Sequence, residues 1–105
     1  PSVLQAPVFF GHGMVLGIET QQPIALEQAR NLLTKSSALE VLDAATEAPT
    51  AVTEAAGNDA IFVGRLRADM SLESGISLWS VMDNSRKGTA LNGVQIAEIL
   101  VKDYL

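Results

Sequence analysis

The groups able to do chemistry are few, and they fall near the two ends of the chain. His12 is the sole imidazole, set between Gly11 and Gly13 inside an apolar, strand-like run. Imidazole changes charge close to neutrality, so this residue can act as a general acid or base. A lone histidine is also commonly a structural residue, and the residues by themselves leave both readings open. Asn84 and Gly88 lie in the polar stretch Asp83-Asn84-Ser85-Arg86-Lys87-Gly88-Thr89, which reads as a turn feeding a long helix. Asp83, Asn84 or Ser85 suits the cap of that helix, where a short polar side chain accepts from the free N–H groups of the first turn. Arg65 and Arg67 alternate along a strand-like segment and so share one face. They can bind an anion or pair with Asp69 or Glu73. The chain has no cysteine, which removes disulfides, thiolate metal sites and a cysteine nucleophile from these residues. It has no Walker loop, no Rossmann glycine fingerprint and no His/Asp/Glu cluster at ligand spacing, so no metal is expected.

These groups need a scaffold, and 105 residues allow one small domain. With 48% hydrophobic residues but only 5% aromatic ones, its core must be aliphatic and rich in alanine. A strand interrupted by glycines is expected over Val8 to Glu19, then a helix from about Ala25 to Thr34 with Leu26, Ala29 and Leu33 on one side. A short strand at Leu39–Asp43, a long loop from Ala44 to Asp59, and strands at Ala60–Arg67 and Ile76–Met82 follow. The closing helix is expected from about Arg86 to Tyr104. There Ala90, Val94, Ala97, Val101 and Tyr104 make one apolar stripe, which Ile96, Ile99 and Leu100 widen. A helix apolar on more than one side needs more cover than its own small sheet provides. The order is β-α-β-loop-β-β-α, an α+β class with a mainly antiparallel sheet covered by helices.

Composition also narrows the partners. A net charge of −5 and the lack of a basic stripe argue against nucleic acid. No apolar run approaches the roughly eighteen residues of a membrane span, and nothing at the start resembles a signal peptide. The absence of cysteine fits a cytoplasmic origin. The chain opens on Pro1 and runs directly into apolar residues, as expected of a fragment.

Two motifs then acquire a common meaning. Phe62-Val63-Gly64-Arg65-Leu66-Arg67-Ala68-Asp69 and, further on, Asp83-Asn84-Ser85-Arg86-Lys87-Gly88 with Val94-Gln95-Ile96-Ala97-Glu98 resemble the closing motifs of the aspartate-semialdehyde dehydrogenase family. Pro7-Val8 and Gly11-His12-Gly13 extend the resemblance across nearly the whole chain. The resemblance implies a glyceraldehyde-3-phosphate-dehydrogenase-like C-terminal domain, so that residues 1–105 form a single partial domain of a larger two-domain protein. It further implies dimerisation and catalysis in an NADP-dependent, phosphate-requiring aldehyde oxidoreductase of amino-acid biosynthesis. His12 then falls at the general base or acid that serves a cysteine nucleophile, and Asn84 and Gly88 fall at cofactor-contacting positions. NADP itself would be held mostly by the missing N-terminal dinucleotide-binding domain, against which the helix within 83–105 would pack. A homodimer formed through Ile76–Met82 and Ala60–Arg67 is expected.

Two positions depart from the family. Gln5 stands where the family carries the arginine that grips the substrate carboxylate. A neutral amide in place of a charge-assisted fork should cost about 2–4 kcal/mol of transition-state stabilisation. Gly13 stands where the family has serine, which should loosen the site. With Gln5, the chain resembles the Usg-type paralogues. It is expected to be inactive alone, and the residues do not decide whether its parent is an enzyme. The alternative is a non-catalytic paralogue, a homodimeric structural or interaction protein.

Overall fold

The computed structural model describes residues 3–42 and 48–105. Its elements are β1 (His12–Glu19), α1 (Leu26–Thr34), β2 (Leu39–Val41), β3 (Ile61–Ala68), β4 (Gly75–Met82) and α2 (Ala90–Asp103). The four strands form one mixed sheet in the order β1-β4-β3-β2. β4 runs antiparallel to both β1 and β3, while β2 and β3 are parallel. The expected strand at Leu39–Asp43 is thus seen as Leu39–Val41, with Asp43 outside the described residues.

Alternation along the two inner strands builds two small cores, one on each face. Val63, Leu66, Ile76 and Leu78 bury themselves against Ala29 of α1, joined by Leu26 and Leu33. Phe62 and Val81 point to the other face and close over Ala55. A strict period of two would put Leu66 on the face opposite Val63. Instead Gly64 pairs with Trp79 and Arg67 with Ser77, so that Arg65 and Leu66 together stand opposite Leu78. This bulge returns Leu66 to the α1 side. It places Arg65 at φ 56, the left-handed region that an L side chain occupies at a cost of about 1–2 kcal/mol. The phase break from Ile61 and Val63 to Leu66 is the trace of the bulge in the sequence.

The segment expected as a plain loop is more ordered than its composition suggests. Ala51–Ala55 makes one wide helical turn, with the Ala56 N–H donating to the Ala51 carbonyl at 3.0 Å. The Thr50 hydroxyl accepts from the Thr53 N–H at 3.0 Å and caps it. Pro49 and Ala55 are buried, because small residues are what fit under β3 and β4. The closeness is measurable at Gly64, where an added Cβ would lie 2.5 Å from Pro49 Cδ. Alanine and proline, which look like loop residues in a sequence, act here as thin core.

Trp79 completes this layer. Its Nε1–H donates to the Pro49 carbonyl at 2.7 Å, which orients the indole across β1. A Cβ at Gly13 would sit 2.2 Å from the ring atom Cη2. Gly13 therefore does not loosen this end of the sheet: the indole occupies the space a serine would need.

α2 departs furthest from an ordinary surface helix. It begins at Ala90, four residues later than expected, and buries no residue. Val94, Ile96, Ile99, Leu100 and Val101 are 48–64% exposed. β1 is an exposed edge strand, with Val15 77% open to solvent. Phe9 and Phe10 just before it are exposed as well.

Gly13→Ser should destabilise the domain by about 1–3 kcal/mol through overpacking against Trp79. In a denaturant-unfolding double-mutant cycle with Trp79→Leu, the paired substitution should cost less than the sum of the two single ones. Additive costs would show that the ring is free to move aside.

Candidate functional site

The site is built where β1 begins and β4 ends. Register pairs His12 with Met82, so the imidazole and the residues just past β4 occupy the same end of the sheet. The link between them is direct. The Gly11 N–H donates to Asn84 Oδ1 at 2.8 Å, across 73 positions of sequence. That bond uses the acceptor end of the carboxamide, so the Nδ2 end is the one left to donate. Gly11 makes the bond possible by adopting φ +100, and a Cβ there would lie 2.5 Å from Ala51 Cβ. His12 itself is exposed.

Asp83 holds the turn that carries Asn84. Its carboxylate is buried and fully engaged. Oδ1 accepts from the Ser85 N–H at 2.8 Å and the Ser85 hydroxyl at 2.6 Å, and Oδ2 accepts from the Gly57 N–H at 2.8 Å. The Ser85 hydroxyl first, and the Gly57 N–H next, hold the Asp83 carboxyl below the usual carboxylate range, since each bond favours the anion. The Asp83 carbonyl also accepts from the N–H groups of Arg86 at 3.3 Å and Gly88 at 3.1 Å, curling the chain tightly. Gly88 is needed for that curl, as a Cβ would come within 2.9 Å of Asn84 Cα. Outside the turn, Arg86 Nε donates to Asp59 Oδ1 at 2.6 Å. The buried Lys87 extends its ammonium to Gln95 Oε1 on α2.

Four of the residues singled out from sequence can now be located. His12, Asn84 and Gly88 come together at one end of the sheet. Gln5 does not join them: it lies exposed in the irregular segment before β1. The expected helix caps act otherwise, since Asp83 and Ser85 brace the turn while Asn84 reaches back to Gly11. Thr89 stands at the head of α2 with no side-chain cap bond. Asp69 is turned onto Ser71, with Oδ1 accepting from its N–H at 2.9 Å and its hydroxyl at 2.6 Å. It does not pair with Arg65 or Arg67. Asp83, expected only as a helix cap, and Gly11 are structural partners of the site whose roles the motifs containing them do not reveal. The only hints of them were a glycine directly before the histidine and an acid directly before the asparagine.

An α+β domain of this shape offers an imidazole at the head of an edge strand, beside an asparagine turn clamped to the same strand. Its edge strand and closing helix leave apolar side chains exposed. The chain belongs to the semialdehyde dehydrogenase family: residues 1–87 match the model described as "Semialdehyde dehydrogenase, dimerisation domain". It is 49% identical over 104 residues to an aspartate-semialdehyde dehydrogenase of Shewanella sp. (strain DB6705), covering 99% of this chain and 31% of that protein. It is 39% identical over 99 residues to a USG-1 protein homolog of Azotobacter vinelandii, covering 94% of this chain and 29% of that one. Among solved structures, aspartate semialdehyde dehydrogenase II from Vibrio cholerae, complexed with ASA, superposes with a TM-score of 0.84 at 48% identity. That match covers 94% of this chain and 29% of the other. The fold class expected from sequence is therefore the observed one. The chain spans about 31% of the length of the dehydrogenase relatives.

Asp83 gives the site a pH signature. A carboxyl whose folded pKa lies below its ordinary 3.8 adds stability above that pH, and the contribution is lost as pH falls through the folded value. Thermal unfolding should therefore show a falling melting temperature below about pH 4. Glu54 and Asp69 are lowered too, by bonds from the Thr50 backbone and the Ser71 side chain respectively. Asp83→Asn should lower the melting temperature at neutral pH and flatten the acid limb. An unchanged acid limb would assign it to the other two carboxyls.

Proposed function

We propose that this chain is the C-terminal dimerisation and catalytic part of an aspartate-semialdehyde-dehydrogenase-like oxidoreductase, in which His12 is the general base or acid. The observation that carries the reading is the Gly11–Asn84 hydrogen bond, because it couples the strand bearing the imidazole to the turn bearing the amide. In this reading a cysteine thiol elsewhere in the longer protein adds to an aldehyde carbon, and the imidazole takes the hydroxyl proton of the resulting hemithioacetal as its hydride leaves. It then stands ready to return a proton as the acyl group passes to phosphate. With an exposed imidazole on a well-anchored strand, His12 can meet a substrate brought from outside this chain.

NADP is the cofactor of this reading, and when bound it accepts the hydride. The residues present fit a contact at its edge only. The Nδ2 end of Asn84 can donate to a carbonyl, and Gly88 keeps Asn84 in place by leaving its backbone room. Nothing among the described residues cradles a pyrophosphate, so the nucleotide is assigned to a separate dinucleotide-binding domain. The exposed apolar face of α2 is the surface proposed to pack on that domain. On this view the 105 residues alone have no dehydrogenase activity, and a cytoplasmic location suits such a biosynthetic enzyme. No described helix is long and apolar enough to cross a membrane.

Gln5 sets the substrate question. The uncharged amide, exposed ahead of β1, offers weaker purchase on a carboxylate than an arginine fork. In the full-length protein, Gln5→Arg is expected to raise kcat/KM for aspartate semialdehyde tenfold or more, and His12→Asn to lower kcat by about 10²–10⁴. Absence of turnover in the full-length protein, with or without Gln5→Arg, would favour the second reading, a non-catalytic Usg-type protein that keeps only self-association. The lack of an arginine at position 5 is the observation on that side.

A homodimer is part of either reading. The segment from Pro49 to Ala55 covers one half of a sheet face and leaves the half around Arg65, Arg67 and Ser77 open. Closed two-fold dimers are the commonest homo-oligomers, and a self-complementary patch on this half would make one. Sedimentation equilibrium at micromolar concentration is expected to give twice the chain mass; a monomer there would remove the dimer.

A further inference from the structure

The open half of the sheet carries two hollows of opposite charge. The first, of about 290 Å³, is lined by Val15, Arg65, Arg67, Ser77 and Trp79 together with Ala48 and Leu78. The second lies at the end of the β1–β4 ladder and is lined by Glu19, Thr20, Gln21, Glu73 and Ser74. Alternation puts Val15, Gly17 and Glu19 on one face of β1, the face shared with Trp79 and Ser77 through the Val15–Trp79 and Gly17–Ser77 pairs. The cationic and acidic hollows are therefore neighbours on one surface. Within one copy they stay apart. β4 lies between Glu19 and Arg67, which places their strands roughly 10 Å apart, and no ion pair joins them among the described residues.

The cationic hollow is also held in a costly conformation. Arg65 is the one non-glycine residue among those described with a positive φ. The bulge that turns Leu66 into the core leaves the Arg65 side chain beside that of Arg67. Two like charges are thus kept together on a chain with twelve acidic and seven basic residues, with no carboxylate partner among the described residues. Asp69, the nearest acid along the chain, is spent on Ser71. Strain retained at a surface site points to a use for it.

We propose that the two hollows are the two halves of one reciprocal contact between copies of this chain. Arg65 and Arg67 of one protomer receive the partner's Glu19 and the partner's Glu73, and the two-fold axis repeats the contact with the roles exchanged. In an isologous interface residue i meets j and j meets i, so adjacent patches of opposite sign are the arrangement that such an axis requires. The apolar sides of Val15 and Trp79, which flank the arginines, exclude water around the pairs. Arg67 and Glu19 form the central pair, being borne by regular strand. Arg65 and Glu73 close its rim.

The inference rests on the homodimer reading above, and charge-swap sedimentation separates the two. Wild-type chain, Arg67→Glu, Glu19→Arg and the double swap Arg67→Glu/Glu19→Arg are compared at neutral pH by sedimentation equilibrium, with circular dichroism to check the fold. Each single reversal should weaken the dimer by at least about tenfold, because it sets like charges face to face. The double swap should recover most of the wild-type affinity within a single chain. Arg65→Gly, which suits the left-handed backbone, should weaken the dimer by less while leaving the melting temperature unchanged or higher. A monomeric wild type would sink the dimer reading itself. A dimer indifferent to the single reversals, or weakened by them but not restored by the swap, would overturn the reciprocal contact and leave the dimer standing.

Discussion

A buried carboxylate at the end of β4 determines where everything of functional interest stands. Asp83 has lost most of its water, and an anion in that position must find donors. It takes them from Ser85 and from Gly57, two segments that the Arg86–Asp59 pair also ties together. The chain after β4 is thereby bent back, Asn84 is presented toward β1, and its Oδ1 accepts the Gly11 N–H. The position of His12 relative to the turn follows from that sequence of bonds. Since each is a hydrogen bond to a charged or oriented group, the geometry is specified more sharply than apolar packing alone would specify it.

The middle of the sheet shows the opposite economy, in which absence of side chain is the structural device. Gly13 gives its space to the Trp79 indole, Gly64 to Pro49, and Gly11 to Ala51. A chain with one tryptophan and few other rings cannot fill a two-sided core with bulk. It brings backbone close to backbone instead, and a single indole, oriented by the Pro49 carbonyl, spans the remaining gap. Dispersion depends on contact distance, so a thin core of glycine, alanine and proline can be dense without being large. Gly13 is therefore matched by a specific neighbour, the Trp79 indole.

What remains uncovered has its own consistency. α2 displays aliphatic side chains along its length, β1 exposes Val15, and Phe9 and Phe10 precede it in the open. These surfaces agree with a chain that spans less than a third of its relatives' length and belongs to a dimerisation family. The mixed-charge half-face shares Val15 with them and differs in carrying Arg65 and Arg67.

Residue pattern alone was enough for the α+β class, the existence of each strand, the placement of α1 and the family. Each of these rests on local periodicity or on contiguous motifs, and both survive without knowledge of the fold. His12, Asn84 and Gly88 could be named from motifs, but their meeting could not, because a bond across 73 positions leaves no local trace. The start of α2 slipped to Ala90 because Asp83 and Ser85 spend their capping groups on the turn. The supposed loop became core because Ala55 and Pro49 carry no strong apolar signal, and only the closeness of β3 and β4 makes them worth burying. Leu66 broke the alternation in plain view, yet the bulge that explains it needed the pairing of β3 with β4. Local chemistry thus settled which elements form, and tertiary structure decided which groups meet, since meeting depends on register and desolvation across distant segments.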